Sequence, residues 1–216
     1  MNKIVQKILL VAAIALASFA PSALADSTVT FNGSYSFPDN GYGIPPYGGT
    51  LNGQPAEFYC VDFSHDITGG MSWSAAVTPL TPGGNYSATY LGNPTSATYA
   101  GSNSAAASDY LLFAYILTEM SETTDQNQIA QDQWAIWSYT DGGVDPYGSA
   151  SLTNVINGAK AGLSTFNPTG WEILTPDNGT YGQEFMYYVP EPSSVLLLAL
   201  GLGALLFLKR RQAFQN

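Results

Sequence analysis

The chain changes its hydrophobic period twice, and that change limits the folds open to it. From residue 27 onward, apolar and polar residues alternate in short runs broken by Gly and Pro. Val29, Phe31, Tyr35 and Phe37 fall on odd positions, the period of two that suits a strand with one buried face. A strand is predicted over 27–37, a Gly/Pro loop over 39–49, and a hairpin over 50–63 with Asn52-Gly53 near its turn. Alternation in that hairpin puts Phe58 and Cys60 on one face, and Tyr59, Val61 and Phe63 on the other. Segments 73–80 and 86–91 are further strand candidates.

From 104 to 166 the period becomes helical. Residues 104–120, crowded with Tyr110, Leu111, Ala114, Tyr115, Ile116 and Leu117, read as a helix apolar nearly all round. It is expected to be buried, being too short and too flanked by polar residues to span a membrane. Asp125 is placed to cap a second helix running through Tyr139, which Asp141-Gly142-Gly143 ends. A third lies within 149–166, where Leu152, Ile156, Ala159 and Leu163 recur at helical spacing. Strands return at 171–174 and 181–189, joined across Pro176-Asp177-Asn178-Gly179. Strands, helices, strands predict a single α+β domain: a β-sandwich or barrel-like sheet with an inserted helical subdomain.

Within the second helix one residue is out of place. Residues on a helix advance by ~100° each, so with Gln133 at zero, Ile129 and Trp137 lie ~40° to either side. Ile136 and Ala130 lie ~60° away, so the Gln133 amide sits inside the apolar stripe. A buried amide must find partners or bear its desolvation. A core glutamine bonded to backbone is one reading. A second oddity offers another: Cys60, within Glu57-Phe58-Tyr59-Cys60-Val61-Asp62, is the only cysteine and can form no internal disulfide. A thioester joining the Cys60 sulfur to the Gln133 side-chain carbonyl would account for both.

The segment Asp132-Gln133-Trp134-Ala135-Ile136-Trp137 resembles the TQxAIW signature of bacterial surface thioester domains, with Asp132 where Thr is usual. Tyr59-Cys60-Val61 resembles that family's upstream cysteine motif. The resemblance covers about residues 28–189 and implies an internal Cys60–Gln133 thioester. Such a bond captures a nucleophile, usually an amine, on a target surface and is consumed in doing so, so turnover is not expected. It requires an apolar wall against hydrolysis, for which Trp134, Trp137 and Phe58 are the candidates. His65, the only histidine, is a candidate local base, or else a solvated loop residue.

Both ends of the chain carry sorting signals. Lys3 and Lys7, an apolar run from Ile8 to Phe19 and the site Ala23-Leu24-Ala25 make residues 1–25 a cleavable signal peptide. At the other end Pro190-Glu191-Pro192 precedes an apolar run over 195–208 and the basic cluster Lys209-Arg210-Arg211. Fourteen residues rise only ~21 Å as a helix, against a hydrocarbon core of ~30 Å. The ordered set of three features resembles the PEP-CTERM sorting signal. It implies an exosortase as processing partner, a membrane-anchored precursor held by residues 190–216, and a mature protein at the cell surface or released. A plain C-terminal anchor is the alternative.

Between the two signals, residues 26–189 hold fifteen of the sixteen acids and, of the strong bases, only Lys160, a formal charge of −14. That argues against nucleic acid and anionic membranes as partners. No cofactor or metal site is expected: Asp62 and Asp66 beside His65 make too weak a donor pattern and read as solvated loop acids. A cysteine hydrolase using Cys60 and His65 fits poorly, since base and nucleophile are usually distant in sequence. The runner-up is a non-covalent module binding matrix or polysaccharide, with Trp73, Tyr86 and Tyr90 as stacking platforms.

Overall fold

The computed structural model describes residues 26–93, 103–141, 145–177 and 181–189. The signal peptide, the Gly142-Gly143 helix stop and the Asn178-Gly179 turn lie outside these residues. So do Pro190, Glu191, Pro192, the apolar run over 195–208, and Lys209, Arg210 and Arg211. No helix among the described residues is long and apolar enough to cross a membrane.

Eight strands are described: β1 (Ser27–Ser34), β2 (Phe37–Asp39), β3 (Tyr42–Ile44), β4 (Tyr47–Leu51), β5 (Gln54–Cys60), β6 (Ser72–Pro79), β7 (Trp171–Pro176) and β8 (Phe185–Tyr188). Six of them close into an antiparallel barrel in the order β1-β4-β5-β8-β7-β6. Between β6 and β7 the chain inserts three helices, α1 (Asn103–Glu122), α2 (Gln126–Asp141) and α3 (Ser149–Gly162). The mixed α+β class and the helical insertion therefore hold, and the sheet is a barrel.

Local chemistry explains the hairpins. Asn52 and Gly53 both have positive φ, 53° and 75°, which a two-residue turn needs to match the twist of β4 and β5. Pairing runs from Leu51 opposite Gln54 to Tyr47 opposite Phe58. The loop expected over 39–49 is instead structured, because Asn40 and Gly41 repeat the device at φ 49° and 87°. They fold β2 on β3 as a separate two-stranded sheet. Conversely, the strand expected over 86–91 is a set of turns. The Tyr86 hydroxyl donates to the Thr81 carbonyl at 2.7 Å, and the Thr89 amide to the Tyr86 carbonyl at 3.0 Å, so local bonds replace a ladder.

The end of β5 is buried on both faces. Phe58 stacks on Phe185 with ring centroids 5.4 Å apart, while Tyr59 meets Trp171 at 5.7 Å. The Trp171 indole N–H in turn donates to Thr118 on α1 at 3.2 Å. One face thus joins the barrel core and the other the helices, so alternation alone understates how dry this stretch is.

Asp125 caps α2, its carboxylate accepting the Asn127 amide at 3.0 Å. From Asp132 to Trp137 every residue of α2 is buried, wider than an amphipathic stripe. Gln131 turns to α3, its carbonyl accepting the Ser151 hydroxyl at 2.6 Å.

Candidate functional site

β5 and α2 bring Cys60 and Gln133 together, 73 residues apart in sequence. Cys60 closes β5, and Gln133 lies about two turns into α2. Both are fully buried, at 0 % exposure. The Gln133 side-chain N–H donates to the Cys60 backbone carbonyl at 2.8 Å. Its Oε1 has no hydrogen-bond partner. The Cys60 thiol donates to the Asp62 carbonyl at 2.9 Å and receives the Asp62 amide at 3.4 Å. Burial, reinforced by the Asp62 carboxylate, pushes the thiol pKa well up, so it rests protonated.

Trp137, one turn beyond Gln133, stands close enough to the sulfur to favour its ionised form. Its buried indole N–H makes no hydrogen bond of ordinary geometry and has the Cys60 sulfur as the acceptor within reach. An unpaired acceptor on Gln133 and an indole donor on Trp137 therefore stand one turn apart on α2, both against Cys60. Trp134 packs edge-on against Trp137 at 4.9 Å and donates its indole N–H to Asp39 at 2.8 Å. Phe63 and Tyr42 complete this aromatic cover, with rings 5.0 Å apart. Phe58 is buried too, on the barrel side.

His65 does not stand free in solvent. Its Nδ1 lies 2.8 Å from the Asp62 carboxylate, and its ring packs on Tyr90. Asp62 is likewise not a solvated loop acid, being 1 % exposed. Its carboxylate accepts the Ser64 amide at 3.0 Å and the Glu184 amide at 3.3 Å. Asp66 does remain exposed. No group of three or more His, Cys, Asp or Glu that could hold a metal occurs among the described residues. The stacking platforms are corrected as well: Trp73 and Tyr86 are core residues, and Tyr90 keeps its hydroxyl buried. Barrel closure and the Tyr86 turn take up the faces a sugar would need.

Glu184 is the residue sequence reasoning missed. It is fully buried beside β8, and its carboxylate accepts the Tyr110 and Thr175 hydroxyls and the Tyr90 amide. Burial raises its pKa to about 7 against the pull of those bonds. The only signal was an acid placed directly before the apolar pair Phe185-Met186.

β8 delivers the chain to Val189, where a sorting signal begins. Residues 189–211 match the PEP-CTERM protein-sorting motif. The motif implies an exported protein, membrane-anchored before an exosortase processes it, that then reaches the cell surface. Searches of curated proteins and of solved structures find no match to the chain.

Proposed function

We propose that this is an adhesin-like surface protein whose domain, residues 26–189, carries a Cys60–Gln133 thioester for covalent capture of an amine on a target surface. The signal peptide over 1–25 and the tail over 190–216 are removed during its maturation. The observation that carries the reading is the Gln133 amide, buried on Cys60 with its carbonyl oxygen unpaired. A core glutamine selected only for packing would have both ends satisfied.

Formation is an acyl transfer. The Cys60 sulfur attacks Cδ of Gln133, the C–N bond breaks, and the thiol proton leaves on the nitrogen as ammonia. Charge gathers on Oε1 during attack, and the Trp137 N–H is the donor at hand to receive it. Hydrogen bonds of this kind are often long before reaction and tighten in the transition state. Trp134, Trp137 and Phe58 keep water from the product. Capture runs the exchange forward: an amine nitrogen bonds Cδ, the C–S bond breaks, and Cys60 regains a proton that the amine loses. His65, held by Asp62, stands within the same loop as a local base.

Intact mass tests the reading. The processed wild-type protein will weigh one ammonia less than its sequence. Methylamine will add to Gln133 and free the thiol, while Cys60→Ala and Gln133→Ala will each show the full sequence mass. An unmodified mass in freshly folded wild type would overturn the proposal.

A further inference from the structure

A bond sealed at 0 % exposure cannot meet a nucleophile unless part of its cover moves. One cleft, of about 290 Å³, ends on it. Trp137, which stands against the Cys60 sulfur, lines it together with Tyr47. Its walls include Tyr35, Tyr42 and Phe63, and Asp66 is the only charged side chain that lines it.

The wall differs in how firmly it is held. Phe31 and Tyr47 belong to barrel strands paired on both sides. Tyr42 belongs to the β2–β3 hairpin, which pairs only with itself. The hairpin is tied down by the Trp134 N–H to Asp39 at 2.8 Å and the Tyr47 hydroxyl to the Gly43 carbonyl at 2.6 Å. The Tyr42 ring, 44 % exposed, lies over the site, with centroids 5.5 Å from Trp134 and 6.2 Å from Trp137. Lifting the Tyr42 tip of this hairpin breaks side-chain bonds only, those two and one between Asp39 and Tyr147, while Ile44 stays anchored in the core and no barrel ladder is lost, so it is the wall that can open.

We propose that this cleft is the entry to the Cys60 sulfur for a single unbranched alkylamine, such as a lysine side chain. Tyr42 is its gate and Asp66 the group that meets the incoming ammonium. In taking Gln133 as the acceptor, this rests on the thioester reading. The volume sits at the bottom of the range for ligand sites, which suits one extended chain and excludes a multi-ring ligand. Tyrosine faces and one carboxylate, with no base among the lining residues, favour a cation over an anion.

Two readouts test it, and only one needs the thioester. In a Gln133→Ala background Cys60 keeps its thiol, and iodoacetamide reports access. Adding Tyr42→Ala should speed alkylation about tenfold or more, since a gate open in only a minor population limits access by that population. Tyr42→Phe, which keeps the ring, should leave the rate unchanged. If Gln133→Ala fails to fold, the same pair is compared on methylamine-treated wild type, whose thiol is free. Equal alkylation rates for Tyr42→Ala and its parent overturn the gate. In the Gln133-containing protein, uptake of N-acetyl-lysine methylamide should fall severalfold with Asp66→Asn at low salt, and the difference should vanish at high salt. An unchanged rate in the presence of normal ammonia loss overturns the role of Asp66. Absence of ammonia loss sinks the thioester reading alone, since the alkylation comparison still decides the route.

Discussion

Two buried polar clusters meet at the end of β5, and they are built in opposite ways. On one side Glu184 is fully occupied: Tyr110, Thr175 and the Tyr90 amide all donate to its carboxylate. Its backbone is also engaged, with the Val61 amide donating to its carbonyl at 3.1 Å. On the other side Gln133 uses its N–H and leaves its oxygen bare, and the Trp137 N–H has only the weakly accepting Cys60 sulfur within reach. An unmade hydrogen bond in the interior costs about 1–3 kcal/mol, so the second cluster stores instability that the first avoids. The satisfied cluster pins α1 and the barrel together. On the proposed thioester reading, the unsatisfied one suits a product that keeps the oxygen and loses the nitrogen.

The largest expected break in that contrast comes from Trp137→Phe. The ring keeps its place in the cover, while the indole donor disappears. If the indole N–H receives charge on Oε1, thioester formation should slow by about 10²–10³, the loss typical for one oxyanion donor. The completed thioester should still weigh one ammonia less than the variant's own sequence mass. Intact-mass time courses after refolding measure this directly, and an unchanged rate would reduce Trp137 to a shield. Glu184→Gln serves as the comparison here: it removes a charge that raises the thiol pKa from a distance, and no group that bonds Gln133.

Glu184→Gln should act on stability instead. The folded pKa of Glu184 is raised to about 7 from its ordinary 4.5, chiefly by burial. The folded state therefore holds the proton more tightly than the unfolded chain. The resulting stabilisation is complete below about pH 4.5 and is lost as pH rises through about 7. Over that window the shift corresponds to about 3 kcal/mol. The Gln variant stays neutral and should flatten this slope, as read by urea unfolding at a series of pH values. A slope equal to wild type would mean that the Tyr110 and Thr175 bonds hold the carboxylate ionised.

Which of these features could be read in advance depends on how local their causes are. Asn52-Gly53 marks its turn by itself, and Asp125 marks the start of α2, because cap and turn chemistry act within a few residues. Gln133 was legible because a helix converts sequence spacing into a face. Asn40-Gly41 carried the same turn signal as Asn52-Gly53, but Gly and Pro around it made the stretch resemble a loop. Asp62 and Glu184 were not legible. Their burial follows from barrel closure, which brings β8 beside β5, and from Tyr110 reaching Glu184 from 74 residues away. Closure depends on non-local strand pairings that no window of sequence contains. Tyr86 misled for the converse reason: its alternation matched a strand, while a hydroxyl-to-backbone bond had already committed it to a turn.

The smallest expected effect tests whether the reactive side tolerates charge. Asp132 precedes Gln133 in α2 and is nearly as buried, with the Gln128 amide donating to its Oδ1 at 2.7 Å. Burial raises its pKa from 3.8 to about 7, offset in part by the Gln128 bond. By the same sign, its stabilisation is complete below about pH 3.8 and is lost as pH climbs through about 7. Asparagine can accept the Gln128 bond through its own carbonyl oxygen and never ionises. Asp132→Asn should therefore match wild type near pH 4 and exceed it by about 1–2 kcal/mol at pH 8, less than the full shift because wild type can relax toward solvent. Ammonia loss should be unchanged, since Asp132 faces Gln128 along the helix and has no contact with the sulfur that the acyl transfer needs. A variant that gains stability at pH 8 but forms the thioester more slowly would move Asp132 from the frame of the site into its chemistry. It would then join the unsatisfied cluster rather than merely border it.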